Sequence, residues 1–232
     1  MLSDATQVGI EYEVARLLFV LPVIATFVVT LTIPLRPLYE FLIGEDGPIE
    51  WLQVALVLVT AITLVGVSAR LFRSGRRLAG LAAAAGVVTM LFIAGEEISW
   101  GQRILGWSTP DDLAEINRQA ETNIHNIGDL LKMFNVVLML ASLYALVAPI
   151  TWRWFAGPRE RTVTETILIP PLVLAPGFAI AFAYRFVRFV FVPEGRYVIS
   201  RFQEVTELVF YAAVAVFAWV ILRRLRAEDT ER

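Results

Sequence analysis

Six apolar stretches, each closed off by charged residues, constrain this chain more than anything else in it. They run Leu17–Leu35, Trp51–Ala69, Leu78–Gly95, Met133–Trp152, Thr166–Tyr184 and Leu208–Leu222, with lengths of 19, 19, 18, 20, 19 and 15 residues. A helix needs about 20 apolar residues to cross the hydrocarbon core of a bilayer. Five stretches meet that length as they stand. The sixth meets it if the helix starts near Gln203, which draws Glu204 and Glu207 into the membrane interface. Inside lipid only helices and closed barrels satisfy the backbone, and the stretches lack the alternation of barrel strands. The expectation is an all-α integral membrane protein: a single membrane domain, 1–232, built as a bundle of six transmembrane helices. The predicted spans are about 17–35, 51–69, 78–95, 133–152, 166–190 and 204–222. An outer-side polar segment, 96–128, is predicted to carry one interfacial amphipathic helix between the third and fourth spans.

Composition narrows the function classes. Hydrophobic residues make up 57 % of the chain and charged residues 18 %, against roughly 25 % charged in a soluble domain. A net charge of -2 offers no basic surface for nucleic acid. The chain has no cysteine, which excludes disulfides, iron–sulfur clusters and thiolate zinc sites. Its one histidine, His125, cannot supply a three-histidine metal site or a bis-histidine haem within one chain. No nucleotide-binding signal is present.

Arginine placement orients the spans, because cytoplasmic loops collect arginine and lysine. Arg70, Arg73, Arg76 and Arg77 follow the second span. Arg153, Arg159 and Arg161 follow the fourth, and Arg223, Arg224 and Arg226 follow the sixth. Six crossings put these segments on one side together with both termini, predicted to be the cytoplasm. The opposite side receives Glu45, Asp46, Glu50, Asp111, Asp112, Glu115 and Glu194. The first stretch lacks the basic flank and cleavage site of a signal peptide. Pro170, Pro171, Pro176 and Gly177 predict a kink or interruption in the fifth span. Trp51, Trp100, Trp107, Trp152 and Trp154 fall near span ends and read as interface anchors.

The polar segment is where chemistry is expected. In "STPDD", Ser108 or Thr109 caps a helix that Pro110 begins and two acids favour electrostatically. Leu113, Ile116, Ala120, Ile124, Ile127 and Leu131 then recur at spacings of three and four, an apolar stripe predicting a helix that continues toward the fourth span. On it Glu121 and His125 share a face, with Asn117 one turn earlier, whereas Asn123 and Asn126 point elsewhere. Glu96 and Glu97 end the third span, Arg185 and Arg188 lie on the fifth, and Glu204 and Glu207 lie on the sixth, all near the outer interface. Arg103, Gln102 and Trp100 are close in sequence.

A carboxylate–imidazole pair in a partly dry site suits acid–base work, so Glu121, His125, Glu96 and Glu97 are the catalytic candidates. Arg185, Arg188 and Arg103 suit a phosphate or carboxylate head group. Glu96, Glu97, His125, Glu204 and Glu207 could hold a divalent cation. A di-iron centre of the ferritin type needs two Glu-x-x-His motifs, and here one Glu-x-x-x-His occurs. The competing structural reading pairs Glu96 and Glu97 with Arg185 or Arg188 to hold helices together.

The strings "GEEISWGQRILG" and "INRQAETNIHN" resemble a paired signature of uncharacterised bacterial polytopic membrane proteins. The resemblance covers roughly Gly95–Asn126. It implies a bacterial inner (cytoplasmic) membrane protein and carries no activity with it. Three functions fit the residues: an enzyme acting on a lipid or lipid-linked substrate at the outer interface, a non-catalytic accessory subunit of a larger membrane complex, or a small transporter or channel. Membrane lipids are the expected partners, with a membrane-protein partner or a second copy of the chain as further ones.

Overall fold

A computed structural model describes residues 2–117, 120–124, 127–157, 159–192 and 197–231. Arg118, His125, Asn126 and Glu194 lie outside the described residues, so what was expected of them has no structural counterpart. The chain folds into helices α1 (Leu2–Gln7), α2 (Tyr12–Leu31), α3 (Arg36–Ile43), α4 (Pro48–Arg73), α5 (Arg77–Glu97), α6 (Gln102–Leu105), α7 (Asp111–Ile116), α8 (Gly128–Ala156), α9 (Val163–Leu168), α10 (Ala175–Phe191), α11 (Tyr197–Arg201) and α12 (Gln203–Glu231). Six helical stretches are long and apolar enough to cross a membrane, so the all-α membrane bundle stands. α12 begins at Gln203, within an apolar helical stretch that runs Tyr197–Thr230.

α12 is the axis of the bundle. It packs on α4 and α10; α4 pairs with α5, α10 pairs with α8, and α2 rests against α10 and α12. In its most apolar window α12 is 67 % buried, against 6 % for α2. The large side chains of α2, Leu17, Leu21, Ile24 and Phe27 among them, point outward, where lipid is the solvent they suit. Small residues set the closest approach. A Cβ on Gly177 of α10 would stand 2.9 Å from the Val209 carbonyl oxygen of α12, so only glycine allows those two backbones to meet.

The fifth span is broken, as its prolines predict. α9 ends at Leu168, a 3₁₀ turn spans Leu172–Leu174, and α10 starts at Ala175. The break leaves the Ile169 and Pro170 carbonyls in need of donors from outside a helix. Arg161 supplies them, with Nη1 donating to the Ile169 oxygen at 2.6 Å and to the Pro170 oxygen at 3.3 Å. Its guanidinium lies 4.8 Å from the Trp152 ring centroid, so Trp152 anchors this break. Thr162 and Glu165 form a capping box that starts α9.

The arginine-bearing segments collect at one end. Arg76 makes a bidentate pair with Glu228, at 2.6 and 2.7 Å, and Arg70 approaches Asp229 at 3.4 Å. The bond to Glu228 holds the Arg76 guanidinium above the ordinary arginine range.

The polar segment departs from expectation. The helix predicted from Pro110 toward the fourth span is only Asp111–Ile116. Beyond it Asn117 is extended and forms an isolated antiparallel bridge with Ile127, and Gly128 opens α8 rather than bending a longer helix. Spacings of three and four in Leu113–Leu131 therefore mark neither one helix nor a buried face: Ile116 and Ile124 are 58 % and 39 % exposed, whereas the polar Asn117, Glu121 and Asn123 are buried. Glu121 sits on this folded-back stretch, so it owes nothing to a shared helical face with position 125.

Candidate functional site

Two structures meet at the C-terminal end of α5. The first is a buried polar clamp. After Glu97 the chain reverses through Ser99 (φ 47°), Trp100 (φ 54°) and Gly101 (φ 89°), three consecutive left-handed residues. Non-glycine residues there cost about 1–3 kcal/mol each and persist only where surroundings over-determine them. Here the surroundings do. Trp100 Nε1 donates to Glu96 Oε1 at 2.6 Å, and its ring lies over Gly95, where a Cβ would stand 3.0 Å away. Ser99 Oγ, fully buried, donates to Glu121 Oε2 at 2.9 Å. Asn123 Nδ2 donates to the same oxygen at 2.7 Å, and Asn117 Nδ2 reaches the Asn123 carbonyl and side chain at 2.7 and 2.8 Å. The Ile124 backbone N–H donates to Glu96 Oε2 at 2.8 Å. Gln102 accepts from the Thr122 N–H at 2.7 Å and donates to Thr109 Oγ1 at 2.8 Å.

The two strings picked out in the sequence are thus the two halves of one hydrogen-bonded unit. Glu96, Ser99 and Gln102 on one side bond Glu121, Thr122, Asn123 and Ile124 on the other. Asn123, expected to point away from Glu121, is 1 % exposed and bonded to it. The Glu121 carboxylate and its backbone N–H, which donates to Asn117 Oδ1 at 3.3 Å, both belong to the clamp's framework. Glu121 is therefore not on a helix, and its carboxylate accepts from Ser99 and Asn123.

The second structure is a slot of about 360 Å³ between α5, α8 and α12. Its walls are Met90, Phe92 and Ile93 of α5, Leu131, Phe134 and Leu138 of α8, and Phe210 and Val214 of α12. Polar groups gather at the end nearest the C-terminus of α5: Glu96, Glu97, Asn135, Gln203, Glu207 and Tyr211. Among the described residues α5 and α8 scarcely touch, since α5 leans on α4 and α8 on α10. The slot therefore opens sideways between α5 and α8, where Thr89 and Val137 are exposed, into the space a bilayer fills. From Thr89 to Glu97 the helical rise is about 12 Å, and from Gln203 to Val214 about 16 Å, at 1.5 Å per residue.

The carboxylates in and beside the slot have different commitments. Glu207, 6 % exposed, accepts from Arg185 Nη2 at 2.8 Å and from Gln203 Nε2 at 2.8 Å. Glu204 bonds Gln53 Nε2, which also donates to the Glu204 carbonyl at 2.7 Å. Glu97 has, among the described residues, one hydrogen bond: Tyr211 Oη donates to its Oε1 at a long 3.4 Å. It is the carboxylate least claimed by the fold. Glu207, Glu204 and Glu50 are all within its electrostatic reach.

Arg185, expected to hold a head group or to pair with Glu96 or Glu97, is buried between α10 and α12 and pairs with Glu207. Arg188 donates to Tyr184 Oη at 3.3 Å on α10 itself. Neither lines the slot. Arg103 lies on α6. No three His, Asp or Glu side chains among the described residues lie close enough together to hold a metal ion. Glu96, Glu97, Glu204 and Glu207 thus do not group by threes among the described residues, and His125, the remaining metal-ligand candidate, lies outside them. Gln203, Tyr211 and Asn135 were not anticipated. Gln203, Glu207 and Tyr211 recur every four residues and so share one face of α12, a polar stripe that the sequence spacing alone carries.

The chain matches no protein-family model, no curated protein and no solved structure.

Proposed function

We propose that this membrane protein is an enzyme of the outer leaflet that takes a single-chain lipid amphiphile into the slot between α5, α8 and α12. The observation that carries the reading is the slot itself: apolar along its length, open to the bilayer at its side, and ending in polar groups at interface depth. Its volume lies at the lower end of the roughly 300–1,000 Å³ typical of ligand cavities, which suits one aliphatic chain better than two. Glu97 is the acid–base group in this reading, with Tyr211 as the hydroxyl able to pass a proton to or from it. Gln203, Asn135 and Glu207 orient the head. The clamp holds the end of α5 and thereby Glu97; Glu96 and Glu121 act through it.

Topology and source belong to the same proposal. Arginine crowding at the end shared by the α4–α5 turn and the tail of α12 supports cytoplasmic termini. The resemblance of the paired strings supports a bacterial inner-membrane protein.

The test uses dodecyl probes carrying a diazirine at the chain end and an amine, hydroxyl or phosphate head, added to the protein in phosphatidylcholine nanodiscs. Cross-links are expected at Thr89–Met90, Val137–Ala141 and Val214, and Ala141→Phe should remove them by filling the slot. Labelling spread evenly over the lipid-facing helices, with no effect of Ala141→Phe, overturns the reading. Catalysis is checked by comparing lipid extracts of membranes containing the wild type or Glu97→Gln. One amphiphile class should fall and one product rise with the wild type alone; identical extracts overturn the enzymatic part.

A further inference from the structure

Resting on that slot as an amphiphile site, we infer that its occupant carries a cationic amine head, and that the ammonium is received by Glu97. The argument is charge complementarity. Among the described residues no lysine or arginine lines the slot, whereas three glutamates do. Glu207 is balanced by Arg185 at 2.8 Å. Among the described residues, Arg201 pairs with Glu45 at 2.8 Å, Lys132 pairs with Asp129 at 3.0 Å, and Arg188 donates to the Tyr184 hydroxyl. Glu97 is left with a 3.4 Å bond from one phenol and with Glu207, Glu204 and Glu50 as electrostatic neighbours.

A carboxylate in a partly dry site demands a proton or a counter-cation. An ammonium supplies the charge and three donors. The acceptors facing it are Glu97, the side-chain oxygens of Gln203 and Asn135, and the Tyr211 hydroxyl. A phosphate or carboxylate head meets the opposite: like charge from Glu97 and, among the described residues, no guanidinium in the slot. Two helix N-termini, of α8 and α12, approach the mouth and favour anions, but each such end is worth only about 0.3–1 kcal/mol. Asp129 and Glu204 in their first turns offset it. The arrangement therefore selects a long-chain amine over a long-chain alcohol, and both over a long-chain phosphate.

The same three dodecyl probes test this. In the wild type, slot cross-linking at equal free concentration should be at least tenfold greater for the amine than for the phosphate, with the alcohol between. Glu97→Gln should bring amine labelling down to the alcohol's, while Glu97→Asp, which keeps the charge, should retain the preference; this second variant separates loss of charge from loss of fold. Equal labelling by alcohol and amine, or an amine preference that survives Glu97→Gln, overturns the inference and leaves the amphiphile site standing. Absence of slot labelling by all three heads overturns the site, and the inference with it.

Discussion

Removing Arg185 should destabilise the protein more than removing Arg185 and its partner together. Arg185 is 3 % exposed and Glu207 6 %, and their 2.8 Å contact joins α10 to α12. In Arg185→Met the Glu207 carboxylate keeps one neutral donor, Gln203. An ion left unpaired in a buried site costs about 3–5 kcal/mol, and a charged residue within a membrane helix about 2.5–3.5 kcal/mol on insertion scales. Both point to about 3 kcal/mol. For a chain of this size each kcal/mol moves Tm by about 2–4 °C, so Arg185→Met should lower it by about 6–12 °C. Arg185→Met/Glu207→Met places two apolar side chains where two charges met, and such replacements are often neutral. The double variant should lie within about 1 kcal/mol of the wild type, and the cycle should return a coupling of about 2 kcal/mol or more. Intrinsic tryptophan fluorescence during heating in detergent reads all four proteins. A drop under about 2 °C for Arg185→Met, or a double variant no better than the single one, would show that the pair is not the strut between these helices.

Three other outcomes follow from the geometry. Ser99→Ala strips a buried donor from Glu121 and should cost about 1–3 kcal/mol, with faster proteolysis of the segment between α5 and α8; unchanged proteolysis would detach Ser99 from the clamp. Gly177→Ala puts a methyl 2.9 Å from the Val209 oxygen and, as overpacking against backbone, should cost about 1–3 kcal/mol in the same thermal assay, whereas a neutral result would mean that α10 and α12 cross more loosely. Because the chain has no cysteine, Ser108→Cys and Thr230→Cys report topology without background: an impermeant maleimide added to intact cells should label position 108 and spare position 230, and the reverse pattern would invert the orientation.

Much of this protein is legible in the chain itself. Lengths of 18 to 20 residues for five of the apolar stretches determine that they cross a bilayer, because backbone polar groups in lipid leave no alternative to a helix. Prolines at 170 and 171 determine the break in the fifth span, because proline supplies no N–H to the ladder. Counting residues from charged boundaries puts Glu97 and Glu207 at interface depth. What the tertiary structure alone decided is pairing. Arg185 takes Glu207 instead of Glu96 or Glu97, because α10 packs on α12 and not on α5. Glu121 turns to Ser99 across 22 positions, and Ile124 to Glu96 across 28, contacts that no local period encodes. The apolar stripe of the polar segment looked helical from its spacing, yet the residues that the fold buries there are the polar Asn117, Glu121 and Asn123, while Ile116 and Ile124 stay exposed. The slot is the extreme case: it exists where α5 and α8 fail to pack, and a gap between two helices has no residues of its own to announce it.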